Sequence, residues 1–188
     1  AIYIYDKKEF DNIREAQKWW ISKSLKSLNE DLVKNNINLE IIEDNQINFF
    51  KKFKSNDIAV YWNKIYEPQE LKKDKEIIIE LEKNKINYKF FKGNVLNEYN
   101  EITKNDGTPF KVYSPFWRNA ENYYIESVPL KNKSLKKLKK IKNLFKNKVK
   151  PEKILPNKNW YKKFEKYWTP SESDAGKLLQ NFVTKKVK

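Results

Sequence analysis

Residues 58–68 read Ile58-Ala59-Val60-Tyr61-Trp62-Asn63-Lys64-Ile65-Tyr66-Glu67-Pro68. The first five are apolar without a break, the pattern of a strand buried on both faces, as in a parallel sheet with helices on either side. Pro68 keeps Glu67 extended and fits the first turn of a helix, so strand is expected to pass into helix here. Leu71, Ile77, Ile78 and Leu81 place that helix over 69–85. Tyr88-Lys89-Phe90-Phe91 reads as the next strand, closed by Gly93. Upstream, Ile2-Tyr3-Ile4-Tyr5 is a short strand ending at Asp6. Residues 15–34 form the clearest helix, with Trp20, Leu25, Leu28 and Leu32 on one stripe and Asn35-Asn36 as the stop. Trp19 and Trp20 lie about 100° apart on it, so at least one is expected to be deeply buried. Residues 37–42 make a strand, and 46–54 a short helix with Ile47, Phe50 and Phe53 inward. Strands alternating with helices imply right-handed βαβ units and a parallel sheet, with 58–62 central.

Composition narrows the chemistry. Among 188 residues there is no Cys and no His. Thiolate metal sites, zinc sites and His-dependent hydrolysis are excluded, and no metal partner is expected. Only three glycines are present, and neither a Gly-x-Gly-x-x-Gly run nor a P-loop, so a glycine-rich nucleotide cradle is not expected. No apolar run approaches the roughly 18 residues that would span a membrane. A monomer in the cytoplasm, with no membrane partner, is expected. The net charge of +15 is unevenly spread. Residues 1–128 hold 21 Lys/Arg against 21 Asp/Glu, whereas 129–188 hold 19 Lys against 4 acids. That split marks a boundary near Pro129. A basic tail on a neutral domain suits a polyanion, through counterion release from phosphates. Lys and Asn are abundant throughout, so compositional bias is the competing reading. Leu135, Leu138, Ile141, Leu144, Phe145 and Val149 recur at helical spacing over 134–149, which fits a connector packed on its own protein or an amphipathic helix on a partner.

Four segments together carry a family resemblance. Gly107-Thr108-Pro109-Phe110-Lys111-Val112-Tyr113-Ser114-Pro115-Phe116-Trp117-Arg118 begins with turn chemistry and continues as an aromatic, basic segment. It resembles the "GTPYKVFTPFWR" signature of the DNA photolyase/cryptochrome family. Ala16-Gln17-Lys18-Trp19-Trp20-Ile21, with Ser24-Leu25 and Leu28 following, resembles the family's "AQ.WWLH.SL..L" helix. Val60–Pro68 with Asp74 is similar to "VYWNRxYEP…RD". Trp168-Thr169-Pro170-Ser171-Glu172 with Ala175, Leu178, Leu179 and Phe182 is similar to "WxPGExxAxxxLxxF", with Ser171 in place of the usual Gly. The resemblance implies an α/β fold, a Rossmann-like parallel sheet flanked by helices, followed by a basic helical linker. Residues 1–128 would be the antenna domain, and 129–188 the interdomain linker and the start of a helical flavin-binding domain. The family's opening strand and "RRDLRLxDN" loop have no counterpart before Ile2, so a fragment lacking one central strand is expected.

The resemblance also names site residues. In folate-bearing photolyases an Asn-Glu pair after the "YEP" loop hydrogen-bonds the pterin of methenyltetrahydrofolate, a role that falls here on Gln69 and Glu70. A carboxylate accepts two parallel N–H bonds, and an amide donates or accepts. Gln69 is one methylene longer than the family's Asn. The same pair also reads as an ordinary first helical turn, where Glu meets the helix dipole. Other members bind an 8-hydroxydeazaflavin near the first strands through an acidic residue where this chain has Ile65, which counts against that chromophore. Tyr5 and Asp6 fall near that pocket by resemblance, although a strand-ending Asp is also a common turn or cap residue. Flavin adenine dinucleotide would sit only in the helical domain, so the expected catalytic set in this chain is empty.

The function the resemblance implies is the antenna part of a deoxyribodipyrimidine photolyase. The family's enzyme splits cyclobutane pyrimidine dimers in UV-damaged DNA with blue light. A cryptochrome-type light sensor and a non-enzymatic basic nucleic-acid-binding module are the alternatives.

Overall fold

The computed structural model describes residues 1–52, 58–123 and 145–185. They divide into two compact units, one of residues 1–46 and 133–188, the other of residues 47–132.

In the first unit, β1 (Ile2–Tyr5) leads through α1 (Lys7–Asp11) and the long α2 (Glu15–Lys34) to β2 (Glu40–Glu43). β1 and β2 pair in parallel, Ile2 against Glu40 through Tyr5 against Glu43. The Gln17 side chain accepts from the Arg14 backbone N–H, holding the start of α2. At its end Asn36 takes a left-handed φ of 61°, and the Ile37 N–H returns to the Leu32 carbonyl. Trp19 is buried at 2% exposure and Trp20 stands half out at 43%, as the 100° offset requires. Tyr5, Phe10, Leu25, Ile41 and Ile154 form the core of this unit.

Ile154 belongs to the stretch that charge alone marks as linker. Lys148–Val149 is a short strand, β5, pairing antiparallel with β2. The 3₁₀ turns Pro151–Ile154 and Asn159–Lys166 follow. Ser22 Oγ donates to the Pro151 carbonyl at 2.8 Å, Trp160 Nε1 to Glu15 at 2.7 Å, and Lys23 pairs with Glu165 at 2.7 Å. Lys148 and Lys153 pair with Glu40 and Glu43. Apolar residues within the Lys-rich stretch are what return it to the sheet. The helix expected over 134–149 falls largely outside the described residues, and its last two positions are β5 rather than helix. Beyond it the last helix runs over Glu172–Lys185.

In the second unit, α3 (Gln46–Lys51, whose first residue lies in the other unit) precedes β3 (Ala59–Asn63), α4 (Pro68–Lys83) and β4 (Asn87–Phe91). Phe53, expected inward, lies outside the described residues. β3 and β4 pair in parallel from Ala59–Asn87 to Asn63–Phe91. Ile77, Leu81 and Ile86 form the core, with Ile47, Phe50, Val60, Trp62 and Tyr88 packed on it. The parallel βαβ reading of 58–91 holds. Burial of β3 on both faces does not: Val60 and Trp62 turn inward, while Tyr61 is 64% exposed. Among the described residues β4 is the only strand paired with β3, and α4 supplies cover to one face. Tyr113–Tyr123 forms α5, where the sequence shows only an aromatic, basic segment; α6 is then Glu172–Lys185.

Candidate functional site

The carboxyl ends of β3 and β4 are where a parallel sheet presents a ligand edge. Glu67, extended at φ −67° and ψ 137°, caps α4, and Pro68 occupies its first turn. Gln69 and Glu70 follow at once, in the position the sequence assigns them. Gln69 is exposed, and its amide has no partner among the described residues. Glu70 is half-buried and accepts from Lys73 at 2.8 Å through one oxygen. The free amide and the second carboxylate oxygen therefore stand at the N-terminus of a 16-residue helix.

A polar cluster that sequence reasoning missed borders this edge. Glu98 accepts from Tyr66 OH at 2.8 Å and from Lys64 Nζ at 3.2 Å. Lys64 Nζ also lies 4.5 Å from the centroid of the Phe90 ring, a cation–π contact. Glu101 accepts from the Glu98 backbone N–H at 2.9 Å and from Lys92 at 2.6 Å. Desolvation, then the Glu98 hydrogen bond, pushes the Tyr66 phenol up to about 12. The Lys92 hydrogen bond comes first in holding Glu101 below the usual carboxylate range. Asp74, one turn beyond Glu70, is raised by burial, with the Trp62 indole N–H opposing the shift. The cluster pins the loop after β4 to the end of β3. Gly93 permits this approach, because a Cβ there would collide with the Lys64 carbonyl oxygen. The partners are 34 positions apart, and no spacing rule joins them. Gly93 closing β4 was the one visible signal.

Tyr5 and Asp6 belong to the other unit and are engaged within it. Tyr5 is buried edge-on against Phe10, with ring centroids 4.7 Å apart. Asp6 caps α1, accepting the Lys8 N–H at 2.9 Å on one oxygen and Asn45 Nδ2 at 2.8 Å on the other. Ile65 is exposed. Among the described residues there is no group of three Asp or Glu placed to hold a metal, and no helix long and apolar enough to cross a membrane.

The family described as DNA photolyase matches residues 1–134. A curated relative, the deoxyribodipyrimidine photo-lyase of Agrobacterium fabrum, is 30% identical over 178 residues, covering 89% of this chain and 36% of its own length. The crystal structure of a bacterial class III photolyase from Agrobacterium tumefaciens superimposes with a TM-score of 0.71 at 26% identity. That match covers 97% of this chain and 38% of the other. The chain thus spans little more than a third of these relatives.

Proposed function

Because the chain belongs to the DNA photolyase family, we propose that it is the light-harvesting part of a deoxyribodipyrimidine photolyase. The whole protein repairs cyclobutane pyrimidine dimers in UV-damaged DNA. This part holds the antenna chromophore and passes on its excitation. The observation that carries the reading is the match over nearly the whole chain to a photolyase only 38% of which it covers. Flavin adenine dinucleotide and the bond-splitting step belong to the remainder of such a protein.

The residues present fit a folate antenna. Gln69 and Glu70 offer an amide and a carboxylate oxygen that no described residue engages, in the first turn of a helix, whose dipole suits an acidic side chain. A pterin's amino and ring N–H groups match a carboxylate acceptor. Methenyltetrahydrofolate, when bound, would supply near-ultraviolet absorption. Glu70 would fix the ring's orientation through its second oxygen, and Lys73 would hold the carboxylate in place. Asp6, with both oxygens taken by Lys8 and Asn45, offers little to a deazaflavin.

The test uses the full-length protein loaded with methenyltetrahydrofolate. Glu70→Ala should weaken folate retention about 10- to 150-fold, from the loss of one charge-assisted hydrogen bond of about 1.5–3 kcal/mol. Unchanged retention would leave Gln69 and Glu70 as a helix start and move the chromophore elsewhere.

A further inference from the structure

A cavity of about 490 Å³ opens in the first unit between β1, the stretch of α2 from Trp20 to Asp31 and the start of α6. That volume suits a ligand of small-drug size. Its walls are mainly apolar and aromatic, with Trp20, Leu25, Leu28 and Tyr3 contributing. Two carboxylates, Asp31 and Glu172, also line it. No Lys or Arg does, in a chain with 40 Lys and Arg against 25 acids.

The charges are asymmetric. Asp31 gives one oxygen to Lys34 at 2.6 Å. Glu172 has no ion pair or hydrogen bond among the described residues. The Tyr3 hydroxyl is likewise without a partner there, and burial first, then the Glu9 charge, pushes the phenol up to about 12. It stays neutral at physiological pH, with a lone pair to offer a donor. An anion placed here would face two carboxylates and no cation. A neutral apolar molecule would gain nothing from the carboxylate of Glu172, which stands exposed at the rim. A cation over an indole face, close to a carboxylate, gains from both.

We propose that this cavity binds a small organic ammonium with a flat apolar body, the body against Trp20, Leu25 and Leu28 and the ammonium toward Glu172 and Asp31. The site lies in a different unit from Gln69 and Glu70 and selects the opposite charge from a phosphate- or carboxylate-bearing ligand. It stands whether or not the chain holds an antenna chromophore.

The probe is phenethylammonium, titrated into the full 188-residue chain by calorimetry or ligand-observed magnetic resonance. Saturation is expected at or below about 1 mM, with the neutral phenethyl alcohol and the anionic phenylpropionate each at least about tenfold weaker. Glu172→Gln should weaken the ammonium about tenfold and leave the alcohol unchanged. Leu28→Trp, which fills the cavity, should abolish binding, with circular dichroism confirming that each variant folds. The proposal is overturned if the alcohol binds as tightly as the ammonium. It is also overturned if both variants bind like the parent, or if no saturation appears below about 10 mM.

Discussion

Asp6 is engaged through both of its carboxylate oxygens. Its oxygens cap α1 and hold Asn45, and it is buried. Asp6→Ala removes the cap, so it should cost about 1–2 kcal/mol, read as a lower urea midpoint with unchanged slope. Two tyrosines are raised furthest among the described residues. Tyr3 and Tyr66 are each raised from 10 to about 12, by burial first in both cases. A group whose folded pKa lies above its unfolded value stabilises the fold fully below the unfolded pKa and loses that contribution as pH rises through the folded one. Stability should therefore fall between about pH 10 and pH 12. A tyrosinate absorbance titration should show late-ionising phenols, Tyr3 and Tyr66 the latest among the described residues, and Tyr3→Phe should remove one of these two. If all tyrosines titrated together near their ordinary pKa, the packing described for Tyr3 and Tyr66 would be wrong.

At the scale of elements, the Lys-rich stretch after residue 144 is partly structural. Ile154 is 2% exposed within the core that also holds Tyr5 and Leu25. Ile154→Ala should destabilise the first unit by about 2–5 kcal/mol, visible as a lower thermal midpoint. A change under about 0.5 kcal/mol would mean that the stretch merely rests on the sheet. α6 is the opposite case. None of its residues is buried, and Leu178, Leu179, Phe182 and Val183 are all exposed. Beyond its first turn, which borders the cavity, a 14-residue helix with no buried residue is marginal, so its later amides should exchange far faster than those of α2. These elements also show what a single sequence displays. The period of α2, the proline entry to α4 and the parallel strands 2–5 and 87–91 were legible, because local pattern and cap chemistry decide them. Burial of β3 was misjudged, because Ala59 and Tyr61 are apolar without being covered, and pattern cannot report a missing neighbour. β5 was hidden by its two-residue length, and α5 by its aromatic density. At the candidate site, the helix start that carries Gln69 and Glu70 was readable from Pro68 beside it, whereas a chromophore role for the pair rests on the family resemblance. The Lys64–Tyr66–Glu98 cluster was not, since it joins residues that only the folded chain brings together.

For the whole molecule, charge and light are separate questions. Several lysines of the basic half are committed to Glu40, Glu43 and Asp174. We propose that any contact with DNA by the remainder is sequence-independent and weakens steeply with salt, through counterion release. Affinity of the 188-residue chain for a random duplex, measured from low to moderate salt, should give a linear log–log slope. A flat slope would assign the lysines to composition alone. The photolyase reading itself is tested most directly by an action spectrum of dimer repair, taken on the full-length protein with UV-irradiated DNA and methenyltetrahydrofolate. The account predicts light-dependent repair with a near-ultraviolet band added by the folate, lost in Glu70→Ala while the flavin-driven band persists. Repair that is absent, or a spectrum that neither the folate nor the substitution alters, would contradict it.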